Sequence, residues 1–215
     1  MKEMIKICGL STPEAIIAAR DGGATHLGFI FFEKSPRNIT PQLAAELAVG
    51  AGECATVAVT VSADDDFLDG IVGAMAPSML QLHGNESPDR VADLKVRHGL
   101  PVMKALAIRA PDDLERMRAY EGIVDLFLLD AKPPKGSELP GGNGVSFDWS
   151  LLAGLETGTP VVLSGGIDLD NVRDAVSRVG DPATCLTGID VSSGVESAPG
   201  VKDPAKISAL LAACR

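Results

Sequence analysis

Cys8 follows Lys6 by two residues in the apolar run MIKIC (4–8). On an extended strand that spacing puts both side chains on one face. A cation so placed favours the thiolate, the form of cysteine that takes up protons or attacks. Gly9 leaves the space above the sulfur open. Taken alone, Cys8 also reads as a buried structural cysteine, the commoner role for any single Cys, and Cys54, Cys185 and Cys214 keep that reading. Asp130 closes the run VDLFLLD (124–130). A carboxylate ending a buried strand is costly unless it is hydrogen-bonded, protonated or at a solvent mouth. Burial there favours the protonated form that a general acid needs, whereas capping of the following loop is the structural alternative. The segment after it, 131–144, is long for a strand-to-helix connection and rich in Pro and Gly, as a lid would be.

Two glycine-containing turns, Ser164-Gly165-Gly166 and Ser192-Ser193-Gly194, end the last two apolar runs. Glycine amides approach phosphate oxygens closely, and a short helix starting near Ser193 would add its positive end. Gly165, Gly166, Ser193 and Gly194 are therefore the candidate phosphate-binding residues, with simple tight turns as the alternative. Arg37, in SPRN, has the planar fork that pairs with a carboxylate or phosphate, although a lone loop Arg is most often merely solvated. Gln81 and His83 end the fourth run and Asp190 the eighth, so all three are placed to line a pocket. His26 opens a run and His98 sits at a helix end, which suits structural roles.

These residues need elements to hold them. Eight short runs rich in β-branched residues recur at 4–8, 26–32, 56–61, 79–82, 102–108, 124–130, 161–164 and 185–190, spaced for one crossover helix each. Thr12, Thr40 and Asp203 each precede a proline that can open a helix, and segments 14–20, 89–96 and 171–179 carry apolar residues at helical spacing. The pattern predicts an α/β fold, a (β/α)8 TIM barrel of eight parallel strands with outer helices, formed as a single domain over 1–215. An open doubly wound sheet is the alternative. Active sites of such barrels lie at the C-terminal strand ends, where the residues above fall.

Composition narrows the partners. A net charge of −10 argues against nucleic acid and anionic membrane surfaces. The apolar runs fall well short of the about 20 residues a membrane span needs, and the opening MKEMIKICGL does not read as a targeting leader, so a cytoplasmic location is expected. The four cysteines form no C-x-x-C pair and have no His at ligand spacing, so no metal site is expected.

In order and spacing, KICG (6–9), GFIFFEKSPR (28–37), QLHG (81–84), LLD (128–130), GGNGVSFDW (141–149), LSGGI (163–167) and DVSSGVESAPGVKD (190–203) resemble the phosphoribosylanthranilate isomerase family of tryptophan biosynthesis. The resemblance implies an Amadori rearrangement of N-(5-phosphoribosyl)anthranilate, without metal or organic cofactor. It makes Asp130 the general acid at the ribose ring oxygen and Cys8 the general base at C2. Arg37 would hold the anthranilate carboxylate, Asp190 would accept from a ribose hydroxyl, and the two glycine turns would hold the phosphate. The implied partner is a phosphorylated, carboxylate-bearing small molecule, with the chain a monomer or homodimer. Asn143 departs from the expected Thr or Ser in the GG-x-G segment, and Lys6 matches the pattern without an implied role. The similar Amadori isomerase of histidine biosynthesis uses an aspartate where Cys8 stands, which argues against that rival. Intact Cys8 and Asp130 argue against a catalytically silent phosphate binder.

Overall fold

The computed structural model describes residues 3–131, 141, 142, 144, 146–181 and 185–215. Its strands are β1 (Met4–Cys8), β2 (His26–Phe31), β3 (Ala55–Thr60), β4 (Met79–Leu82), β5 (Val102–Ile108), β6 (Leu126–Ala131), β7 (Val161–Leu163) and β8 (Leu186–Val191). They pair in chain order, all parallel, and β8 returns to β1 to close a barrel. Every predicted run is a strand, with bounds shifted by a residue or two.

Alternation along the strands separates two apolar layers. Ile7, Leu27, Phe29, Phe31, Leu80 and Phe127 face outward into the large core between strands and helices. Met4, Cys8, Val57, Val59, Met103 and Leu128 face the barrel axis and form a smaller cluster. Lys6 shares the inward face and is completely buried.

Helices α1 (Pro13–Gly22), α2 (Pro41–Ala48), α3 (Asp65–Met75), α4 (Pro88–His98), α5 (Pro111–Leu114), α6 (Val172–Ser177) and α7 (Pro204–Ala213) cover the described part of the barrel. The predicted caps form: Thr12 accepts from the amide of Ala15, Thr40 from Leu43, and Asp203 from Ala205 and Lys206. Ser87, before Pro88, makes the same cap for α4. Each is worth about 1 kcal/mol. Full crossover helices are not present throughout. α5 is one turn continued by a 3-10 segment (Glu115–Ala119), and among the described residues the β6–β7 crossover holds only a 3-10 turn (Trp149–Leu152). The chain beyond that turn, with left-handed Gly154 and then Thr-Gly-Thr-Pro, cannot continue a helix.

A small antiparallel hairpin, β9 (Glu196–Ala198) and β10 (Val201–Lys202), sits above the barrel after β8. Sequence periodicity did not indicate it, because its strands are too short to alternate. Its signal is the Pro199-Gly200 turn.

Candidate active site

The C-terminal strand ends surround one cavity. Cys8, Arg37, Gln81, His83, Asp130, Asp190, Gly165, Gly166 and Ser193 all line it. Gly194 does not. A side chain on Gly194 would begin 2.0 Å from the carbonyl oxygen of Ile167, so the bare backbone there lets two loops pack against each other. The helix expected near Ser193 is a three-residue 3-10 turn, Ser193–Val195. A turn that short accumulates little dipole, so its amides act individually.

Cys8 ends β1 and Asp130 stands next to the last residue of β6, so both reach the same mouth from different sides of the barrel. The amide of Ala131 donates to Asp130 Oδ1 at 2.8 Å, and His83 Nε2 lies 3.4 Å from Oδ2. Two glycines roof this carboxyl. A Cβ on Gly141 would lie 2.3 Å from Asp130 Oδ2 and 2.9 Å from His83 Nε2, and one on Gly165 would lie 2.9 Å from Oδ1. The rest of the proposed lid, 132–140, and the departure at Asn143 lie outside the described residues.

Lys6 and Asp190 form an ion pair in the barrel axis, with Nζ 2.8 Å from Oδ1. Ser164 Oγ donates to Asp190 Oδ2 at 3.2 Å. Burial alone would push the Lys6 ammonium down, but Asp190 and then Cys8 hold it above its ordinary value. The lysine thus stays charged beside the sulfur. A Cβ placed on Gly28 would meet Cys8 Sγ at 2.9 Å and Lys6 Cε at 3.1 Å, so only a bare backbone admits both. The cation favours the thiolate, as its place on the same face of the strand implies, but it does not decide the balance. Burial pushes the thiol up, and Lys6, with Lys202, only partly opposes it. His26, at the opposite end of the barrel, hydrogen-bonds Thr25 Oγ1 and is pulled down to about 4 by burial and by Lys6, which fits its structural reading.

Arg37 is not a solvated loop cation. It is buried, its Nε and Nη2 donate to Glu196 Oε1 and Oε2 at 2.7 and 2.9 Å, and Nη2 also donates to the carbonyl of Gly142 at 3.2 Å. Gly9 serves this arginine more than the sulfur. Its backbone is left-handed, and a Cβ on it would lie 2.7 Å from Arg37 Cδ. Lys202 Nζ donates to the same Glu196 at 2.6 Å and to the carbonyl of Ser192 at 2.9 Å, and Ser192 Oγ donates to the carbonyl of Cys8 at 3.1 Å. The hairpin therefore locks the arginine, the second glycine turn and the end of β1 into one network. Glu196 and Lys202 went unnoticed in the sequence, since their pairing exists only once the hairpin forms.

Removing one partner of such a buried cluster leaves unpaired charge, which typically costs about 3–5 kcal/mol. Glu196→Gln is expected to lower stability by about 3 kcal/mol in urea titration and to raise KM for a carboxylate-bearing substrate about tenfold, with a smaller effect on kcat. An unchanged KM would separate Glu196 from Arg37's placement.

Among the described residues no group of three or more His, Cys, Asp or Glu is arranged to hold a metal, and no helix is long and apolar enough to cross a membrane.

A closed parallel barrel that gathers a thiol, a carboxyl, a buried arginine and two glycine turns at its C-terminal mouth defines a (β/α)8-barrel enzyme. The family profile described as PRAI, N-(5'phosphoribosyl)anthranilate (PRA) isomerase, matches residues 5–213, and the chain belongs to that family of isomerases. It is 62% identical over 200 residues to the N-(5'-phosphoribosyl)anthranilate isomerase of Brucella canis, covering 93% of this chain and 88% of the relative. The crystal structure of phosphoribosyl anthranilate isomerase from Thermotoga maritima superposes with a TM-score of 0.83 at 30% identity, covering 100% of this chain and 98% of the other. A further isomerase structure, solved in complex with reduced 1-(o-carboxyphenylamino)-1-deoxyribulose 5-phosphate, matches with a TM-score of 0.78 at 29% identity, covering 98% of this chain and 97% of the other.

Proposed function

We propose that this chain converts N-(5-phosphoribosyl)anthranilate to 1-(2-carboxyphenylamino)-1-deoxyribulose 5-phosphate, with Asp130 as general acid and Cys8 as general base. The observation that carries the reading is the shared cavity: the thiol ending β1 and the carboxyl near the end of β6 line one space, with Gly141 and Gly165 set close over the carboxyl.

Protonated Asp130 donates its proton to the ribose ring oxygen while the bond from that oxygen to C1 breaks. The nitrogen lone pair moves in to form the C1=N iminium. The positive nitrogen acidifies the proton on C2, which the Cys8 thiolate removes; the C–H electrons become the C1=C2 bond and the iminium pair returns to nitrogen. The resulting enolamine then gains a proton at C1 and loses one from its C2 hydroxyl to give the ketone. General acid and base groups each contribute about 10² to 10⁴-fold.

The remaining residues bind. Gly165, Gly166 and Ser193 line the mouth on the β7 and β8 side, where backbone amides suit a phosphate. Gly194 serves by letting the two loops approach. Arg37, held by Glu196, offers its outward edge to the anthranilate carboxylate, and Asp190, held by Lys6, accepts from a ribose hydroxyl. Gln81 and His83 border the sugar on the β4 side. In a chain of net charge −10, Arg37 and Lys202 share the single carboxylate of Glu196, which leaves a local positive surplus for an anionic substrate.

The test is to mix purified protein with freshly made phosphoribosylanthranilate and follow the loss of its fluorescence. Enzyme-dependent conversion is expected, and its absence would overturn the assignment.

A further inference from the structure

We infer that Gln81 is a positioning residue for the acid: it fixes the tautomer of His83 so that Nε2–H, and not a lone pair, faces Asp130. The inference deepens the proposed reaction and rests on Asp130 being its acid.

Gln81 and His83 stand two residues apart at the end of β4, so both side chains point to the cavity. Gln81 is 1% exposed, and its Nε2 lies 3.0 Å from His83 Nδ1. Its Oε1 is enclosed and has no partner. With Nε2 donating, Nδ1 must be the acceptor and the imidazole proton must sit on Nε2. Turning the amide over would let Oε1 accept from Nδ1–H, but it would leave both amino hydrogens unmet at the enclosed position, where the amide now uses one hydrogen on His83 and buries an acceptor there instead.

The far end of the ring points to the same answer. His83 Nε2 is 3.4 Å from Asp130 Oδ2. A proton on Nε2 gives that carboxylate a donor, whereas the other tautomer sets a lone pair against it. Both nitrogens therefore select one tautomer, and the Ala131 amide supplies the second donor to the carboxyl, at Oδ1. After Asp130 gives its proton to the sugar, the resulting carboxylate is left with the Ala131 amide on Oδ1 and the Nε2–H of His83 3.4 Å from Oδ2. Gly141, whose Cβ would strike both Asp130 and His83, closes this arrangement from above.

Among the described residues, the other charged groups around the pair are as follows. Cys8 on β1, Arg37 beyond β2 and Asp190 on β8 line the same cavity, with Arg37 paired to Glu196 and Asp190 to Lys6. On the β5 side Lys104 is paired to Glu86 at 2.9 Å. Among the described residues, Gln81 is the neutral group hydrogen-bonded to the other face of His83.

The chain has three histidines, so the labelled imidazole nitrogens can be assigned by NMR with His83→Asn as reference. The wild-type protein is expected to carry its His83 proton on Nε2. A proton on Nδ1 would overturn the inference, and this measurement needs neither substrate nor a Gln81 variant, so it is read separately from any failure of the isomerase assignment. Gln81→Met keeps the shape and removes the donor. It is expected to mix the His83 tautomers, to lower kcat about tenfold with little change in KM, and to move the low-pH limb of the kcat profile to higher pH, because a carboxylate that loses its Nε2–H donor is protonated more readily. An unchanged tautomer with an unchanged low-pH limb would overturn the inference, since mere loss of packing lowers stability without moving a pH limb.

Discussion

Cys8→Ala is expected to lower kcat about 10² to 10⁴-fold while KM stays within a few-fold and the fold survives, because the sulfur acts at the proton-transfer step and its loss removes little volume. The pH profile adds a sharper criterion. The reaction needs Asp130 protonated and Cys8 ionised together, although carboxyl groups ordinarily ionise at much lower pH than thiols. Burial pushes the Cys8 thiol further up, with Lys6 only partly opposing. The working combination is therefore a minor protonation state. In that regime activity rises from low pH as the carboxyl ionises, stays flat, and falls at high pH as the thiol ionises. The residual activity of Cys8→Ala then depends only on protonated Asp130, so the low-pH rise is expected to disappear and the fall to begin where the carboxyl ionises, as measured by fluorescence loss across pH. Near-normal turnover would remove Cys8 from the mechanism.

Asp130→Asn is expected to cost a similar 10² to 10⁴-fold in kcat, with the opposite limb affected. The amide keeps the shape of the side chain and its Oδ1 still accepts from Ala131, so folding and substrate affinity are expected to change little. What it lacks is a transferable proton. With only the Cys8 thiolate left to titrate, activity is expected to rise until the thiol has ionised and the high-pH fall is expected to vanish, and a profile that keeps its high-pH fall would argue against the acid role. Because Cys8 and Asp130 serve successive steps of one reaction, the double variant is expected to lose less than the product of the two single losses, as kinetics of Cys8→Ala/Asp130→Asn would reveal.

The resemblance placed the acid and base together, and their strand-end positions were legible in the residues themselves. The arginine shows where such reading stopped. Arg37 reads in the sequence as a fork for a carboxylate or phosphate or as a merely solvated loop cation, and it is in fact buried with two of its nitrogens on Glu196. The carboxylate that claims it lies 159 residues further along the chain. The net state of the thiol was not legible for a related reason. Lys6 does share a face with Cys8, but its ammonium also belongs to Asp190, and enclosure in the barrel outweighs its pull on the sulfur.

Local patterns by themselves determined the eight strands, the Thr-Pro, Ser-Pro and Asp-Pro helix starts and the positions at which strands end, because burial alternation, proline geometry and capping act over a few residues. The partners of the site residues were decided only by the tertiary structure. Closing the barrel sets β1 beside β8 and joins Lys6 to Asp190 across 184 residues, and the hairpin beyond β8 brings Glu196 to Arg37 and Lys202. Those contacts depend on where separate segments meet after the chain has closed, and the low dielectric created by that closure sets the state of each charge.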